Sequence, residues 1–90
     1  MKTVILDGGT IFDAADLHNA LARELALPAQ YGRSLDDLYD CLCALSQDTH
    51  LFIRNWHHVE FHLKDYSGKA VYVLHCAHEE NPHFTAALEP

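Results

Sequence analysis

SLDDLYDCLCAL, residues 34–45, holds the features that decide how the fold is interpreted. Ser34 precedes a leucine and two acids, a composition typical of a helix N-cap and first turn. Asp36 and Asp40 are four residues apart, so a helix places both carboxylates on one face. The opposite face carries leucines at helical spacing, namely Leu35, Leu38, Leu42 and Leu45. The segment is predicted to be an amphipathic helix with an acidic outer side.

Two further segments have the composition of helices. Asp13 is the expected N-cap of a helix that ends before Pro28. Its apolar stripe consists of Leu17, Leu21 and Leu25. A shorter helix is predicted over residues 56–63, and Ser67-Gly68 is predicted to break the chain after it.

Short apolar runs rich in β-branched or aromatic residues predict strands at residues 3–6, 50–54 and 84–88. Residues 69–80 are ambiguous, because residues 71–73 favour a strand while apolar residues across the segment recur at helical spacing. The chain therefore alternates strands with helices, which predicts an α/β fold.

The composition is that of a small folded domain, since 49% of the 90 residues are hydrophobic and 21% are charged. A chain of this length is expected to form one domain, residues 1–90. No apolar stretch approaches membrane-spanning length, and the first residues lack the apolar core of a secretory signal. We therefore expect a cytoplasmic protein without membrane contact.

The formal net charge of −7, with only six Lys and Arg residues, disfavours direct binding of nucleic acid. Phosphates are held mainly by cationic side chains, whereas an acidic surface suits a basic protein partner. The free protein is expected to be a monomer.

Cys41, Cys43 and Cys76 are an odd number of cysteines without a C-x-x-C pair. This pattern disfavours a disulfide framework and a zinc ribbon. We expect reduced thiols, most of them buried.

The carboxylates of Asp36 and Asp40 alone are most simply explained as an ordinary solvated helix face. Tyr39 beside them favours a binding patch instead, because an aromatic among acids is a common anchoring composition. The preceding loop contains Gln30 and Tyr31, which are expected to extend the same surface.

Several motifs together resemble the barstar family. They are Asp16-Leu17-His18, Glu24-Leu25-Ala26-Leu27-Pro28, Tyr31-Gly32 and Leu35-Asp36-Asp37-Leu38-Tyr39-Asp40-Cys41-Leu42. The likeness is densest over residues 16–42, and the order of elements continues to the final strand. It implies a three-stranded parallel sheet flanked by about four helices, with residues 69–80 helical.

The resemblance also implies a function: an intracellular inhibitor of a basic guanyl-specific ribonuclease of the barnase type, which protects its own cell. It implies no catalytic residue, cofactor or metal. Asp40 is expected to lie deepest in the nuclease and to imitate the RNA phosphate. The partner-binding residues implied by position are Gln30, Tyr31, Ser34, Leu35, Asp36, Tyr39, Asp40, Cys43, Ala44 and, from the last helix, Glu80.

Some positions depart from the family's best-known member. Gln30 replaces an aromatic residue, and Tyr39 and Leu45 each replace Trp. An acid of that member's last helix aligns with Cys76 or its vicinity. The acidic contribution of this helix is therefore either lost or moved to Glu79 or Glu80, and Glu80 is the residue included among the partner-binding positions.

Particular residues are also compatible with other functions. His58 and His62, and the cluster His75, Cys76 and His78, suggest a metal-binding domain, although neither set has full zinc-site spacing. A barstar-like interaction domain with a non-nuclease partner is the main alternative. Ser34-Leu35-Asp36 faintly resembles the motif of a phosphopantetheine carrier, and nothing in the sequence assembles an enzyme active site.

Overall fold

The computed structural model describes all 90 residues. The chain forms three strands, four α-helices and one 3-10 turn. Their bounds are β1 Lys2–Asp7, the 3-10 turn Gly8–Thr10, α1 Ala14–Glu24, α2 Leu35–Cys43, β2 Thr49–Arg54, α3 Trp56–Leu63, α4 Asp65–Glu80 and β3 Phe84–Leu88. The prediction of an α/β fold with three strands and about four helices is confirmed.

The strands form one sheet in the order β1-β2-β3, and both pairings are parallel. Buried and exposed side chains alternate along β1, where Val4 and Leu6 are buried while Ile5 is 61% exposed. Leu51 and Ile53 of β2 continue the buried row in register with β1. The helices therefore cover one face of the sheet, and 19 buried apolar residues form a single core cluster beneath them.

Helix α1 begins as its sequence predicts. The Asp13 carboxylate accepts a 2.8 Å hydrogen bond from the Asp16 backbone N–H, while the Asp16 carboxylate accepts one of 3.1 Å from the Phe12 backbone N–H. These bonds satisfy backbone donors that a helix N-terminus leaves free. Leu17 and Leu21 are buried, so the helix packs its leucine stripe on the core.

The predicted break at Ser67-Gly68 is wrong. Both residues lie inside α4, and the change of direction occurs at Lys64, whose φ of 53° is in the left-handed region. The Ser67 hydroxyl donates to the Lys64 carbonyl at 2.6 Å, which strengthens the first turn of the new helix. Residues 69–80 are helical, as the family resemblance implied.

The expectation that most cysteines are buried is also wrong, because all three are free and only half-buried. Cys41 and Cys43 flank the fully buried Leu42, and helical geometry turns such neighbours to either side of the core. Burial, followed by Asp37 and Asp40, raises the pKa of the Cys41 thiol. No helix of the structure has the length and apolar character needed to span a membrane.

Candidate functional site

Helix α2 holds the two predicted carboxylates outward. The Ser34 hydroxyl caps the helix by accepting a 3.1 Å bond from the Asp37 backbone N–H. Leu38 and Leu42 are fully buried and hold the opposite face on the core. Asp36 and Asp40 are consequently both exposed on the outer face, as their spacing predicted.

The far end of α2 is held by Asn81, which is 4% exposed. Its side-chain amide donates to the Leu42 and Leu45 carbonyls, both at 2.9 Å, and its oxygen accepts from the His83 backbone N–H at 3.0 Å. Carbonyls at a helix C-terminus lack i+4 partners, and Asn81 bonds two of them: the Leu45 carbonyl, and the Leu42 carbonyl that also accepts from the Leu45 N–H at 3.3 Å. This contact attaches α2 to the segment between α4 and β3.

Tyr31 does not extend the surface with its side chain, contrary to the sequence expectation. It is 4% exposed, and its hydroxyl lies 2.5 Å from Nδ1 of the buried His18. The Tyr66 hydroxyl lies 2.6 Å from the other ring nitrogen of His18. Tyr31 therefore anchors the loop before α2, because its hydroxyl finds a partner in the core.

The His18 ring bridges two phenols in a nearly water-free position. Burial lowers the pKa of His18, and the Arg33 charge lowers it further. The neutral ring donates from one nitrogen to one phenol oxygen and accepts at the other nitrogen from the second phenol. The loop is also attached directly to α2, since the Gly32 N–H donates to the Asp37 carboxylate at 2.6 Å.

Two grooves flank the outer face of α2. The α4-side groove, about 500 Å³, lies between α2 and α4, and the loop-side groove, about 480 Å³, lies between α2 and residues 25–31. Asp40 is the one residue that lines both. It therefore stands on the ridge between two concave surfaces.

The predicted partner-binding residues distribute over these grooves. Leu35, Asp36 and Tyr39 line the α4-side groove, whereas Gln30, Tyr31 and Ala44 line the loop-side groove. Glu80 lines a neighbouring cleft of about 330 Å³ that Tyr39 also borders. Ser34 and Cys43 line neither groove; the first caps α2 and the second bonds Tyr39.

The surface around Asp40 is anionic. No Lys or Arg lines the two grooves or the cleft, whereas five carboxylates do: Asp36, Asp37, Asp40, Glu79 and Glu80. His75 lines the cleft and lies 3.7 Å from the Glu79 carboxylate, and Arg33 contacts the loop-side groove from outside it, since its guanidinium donates to the Tyr31 carbonyl at 3.2 Å. Such a surface attracts cationic groups, and less so at high ionic strength.

Tyr39 and Tyr72 contribute aromatic surface without charge. A hydrogen bond with Cys43, with burial second, raises the pKa of Tyr39 to about 12. A hydrogen bond with Cys76 likewise raises the pKa of Tyr72. Both phenols therefore stay neutral at physiological pH.

The sequence interpretation missed the contribution of α4 to the α4-side groove, which comes from Tyr72, Val73 and Cys76. Tyr72 is 68% exposed and lies on the groove wall opposite Tyr39. The i, i+4 spacing of Tyr72 and Cys76 would have placed them on one face, had residues 69–80 been assigned as helix from the pattern alone.

No group of three or more His, Cys, Asp or Glu side chains is arranged to hold a metal ion. His75 and His78 point to different partners, since Nδ1 of His78 bonds the Phe84 carbonyl at 2.8 Å while His75 approaches Glu79. The cluster suggested by the sequence on α4 is therefore not assembled.

The fold and the surface together define an α/β domain with one acidic helix exposed between two grooves. Residues 1–89 match the barstar family, described as Barstar (barnase inhibitor). A Bacillus subtilis (strain 168) protein named "Putative ribonuclease inhibitor YrdF" is 32% identical over 81 residues, which cover 89% of this chain and 89% of that protein. The chain belongs to the barstar family, a family of inhibitors rather than of enzymes.

Proposed function

We propose that this protein inhibits a basic guanyl-specific ribonuclease by inserting the ridge of α2 into the nuclease active site. The observation that carries this proposal is the position of Asp40, which alone lines both grooves. A carboxylate that projects between two grooves is complementary to an active site that has cationic residues at its base and projecting segments at its edges.

The chemistry of inhibition is charge mimicry. A ribonuclease must hold an RNA phosphate with Arg, Lys and His side chains, and a carboxylate can occupy that position without being cleaved. Asp40 lies on a capped helix whose inner face is fully packed, so its position is set before binding. Preorganisation of this kind lowers the ordering cost of association.

The other residues have distinct roles around Asp40. Asp36, Leu35 and Tyr39 contact the partner on the α4 side, and Gln30 and Ala44 contact it on the loop side. A second group acts at the margins or supports the contact residues from below: Tyr31, Ser34, Cys43 and Glu80. The proposed complex is intracellular and forms from a monomeric inhibitor.

The proposal is tested by binding and RNA-cleavage assays against a panel of basic guanyl-specific ribonucleases. Asp40→Asn and Asp36→Asn are compared with the parent and with Glu60→Gln, which removes a carboxylate from α3. Removing a charge partner from the centre of an interface is expected to weaken binding about 30-fold or more. The control is expected to stay within about twofold, because rim or remote charges contribute little.

Two outcomes would refute the proposal. One is a parent protein that binds none of the nucleases. The other is an Asp40→Asn variant that keeps parental affinity, since the ridge would then not be the inhibitory element. In the first case the surface would belong to an interaction domain with another kind of partner.

A further inference from the structure

Helix α3 carries a pair of histidines that the inhibitory surface does not use. His58 and His62 are one turn apart, and their ring centroids are 4.3 Å apart with an interplanar angle of 43°. The exposed ring of Phe12 lies against both, at 4.9 Å from His58 and 5.0 Å from His62. The principal packing partners of α3 are the 3-10 turn and α4, so the pair lies outside the α2 grooves.

The Nε2 atom of His58 is buried and has no hydrogen-bond partner. It is the only buried side-chain nitrogen or oxygen in the protein without one. Unsatisfied buried polar atoms are uncommon and often mark an unfilled ligand position. Neither ring forms a hydrogen bond with protein that would fix its tautomer, so both keep a lone pair for another ligand.

We propose that His58 and His62 form a two-imidazole site for a divalent transition-metal ion that prefers tetragonal geometry, such as Ni²⁺ or Cu²⁺. Imidazole suits these ions, and water completes the remaining coordination positions. The proposal concerns this pair alone and does not depend on ribonuclease inhibition.

The ring spacing favours a tetragonal ion over tetrahedral zinc. An ion bound about 2.1 Å from each nitrogen lies about 3.2 Å from each ring centre. When the two nitrogens subtend an angle of about 90° at the ion, the ring centroids are about 4.5 Å apart, whereas a tetrahedral angle at the ion requires about 5.2 Å. The observed 4.3 Å is close to the first value and almost 1 Å short of the second.

The surroundings are compatible with a cation. The Asp7 carboxylate is close enough to His58 for their charges to interact, and it is held by the Asn55 side chain at 2.8 Å and the Gly9 N–H at 2.9 Å. It adds negative potential without acting as a ligand. Phe12, whose ring contacts both imidazoles, is 55% exposed, so that ring can move without opening the core.

The test is a Ni²⁺ titration of the untagged protein at pH 7.5, by calorimetry and by paramagnetic broadening of imidazole NMR signals. Ni²⁺ does not oxidise the free thiols, which makes it a cleaner probe than Cu²⁺. His58→Asn and His62→Asn are each expected to weaken binding about tenfold or more, because one tethered ligand is lost. His57→Asn is the matched control, since its side chain is 84% exposed on the same helix, and it is expected to stay within about twofold.

His62 is exposed, so its replacement leaves the fold intact, and circular dichroism verifies this for each variant. Parental Ni²⁺ affinity in His62→Asn would overturn the proposal. So would broadening centred on His75 and His78 that survives both replacements. Zn²⁺ binding more tightly than Ni²⁺ would overturn the tetragonal assignment.

Discussion

Asn81→Ala is expected to destabilise helix α2 at its C-terminal end. The Asn81 amide makes the 2.9 Å bonds to the Leu42 and Leu45 carbonyls in a site that water barely reaches. Each such bond contributes about 1 kcal/mol net, and a carbonyl left buried without a donor costs about 1–3 kcal/mol. The expected loss is about 2–4 kcal/mol in the free energy of unfolding, a large part of the stability of a small domain.

The assay is equilibrium urea unfolding, with thermal unfolding as a second measure. For a domain of this size the loss corresponds to a fall in Tm of about 10 °C or more. Asn19→Ala is the control, because Asn19 is exposed on α1 and accepts a single bond from Arg33. A loss below about 1 kcal/mol in Asn81→Ala, or one equal to that of Asn19→Ala, would refute the assigned role of Asn81.

Two further expectations concern His18 and Tyr72. Burial lowers the pKa of His18, so as the pH falls the unfolded chain binds a proton at this residue before the folded chain does. The contribution of His18 to the free energy of unfolding is therefore fully present above the unfolded pKa of about 6.5, and it decreases as the pH falls below that value. The decrease is at most about 1.4 kcal/mol per pH unit. A His18→Gln variant whose free energy of unfolding falls between pH 7.5 and 5.5 by as much as that of the parent would contradict this expectation. Tyr72→Ala is expected to weaken ribonuclease binding about tenfold, because an aromatic contact at the interface is lost. Phe61→Ala is the control: Phe61 is similarly exposed but lies on α3, so its replacement is expected to leave the affinity for the nuclease unchanged. Equal affinities of the two variants in the nuclease assay would remove Tyr72 from the interface.

Local patterns predicted the elements whose signals are local. The Asp13 and Ser34 caps and the leucine stripes lie within the helices they define, so α1 and α2 were predictable. The prediction of a break at Ser67-Gly68 was wrong because a glycine reduces the stability of a helix by only about 1 kcal/mol. The packing of the 16-residue helix α4 outweighs this cost. A Cβ at Gly68 would meet no atom within 4 Å, so this glycine is tolerated rather than required.

The parts of the site that the sequence could not predict depend on distant partners. Tyr31 is buried because its hydroxyl meets His18, 13 residues away, and His18 in turn meets Tyr66, 48 residues away. No local pattern separates such a tyrosine from an exposed one. The α4-side groove similarly requires α4 to lie beside α2, a tertiary contact that spacing within either helix does not reveal.

The departures from the family's best-known member fall on the groove walls. Gln30 and Leu45 line the loop-side groove, and Cys76 lines the α4-side groove, whereas Asp40 between them is retained. A substitution in a groove changes which segments of a nuclease can fit into that groove. The retained carboxylate of Asp40 still requires cationic residues at the base of the nuclease active site. We therefore expect this inhibitor to recognise a nuclease that has a basic active site but differs from barnase in the surface around that site, because Gln30, Tyr39, Leu45 and Cys76 differ from the residues of the best-known member.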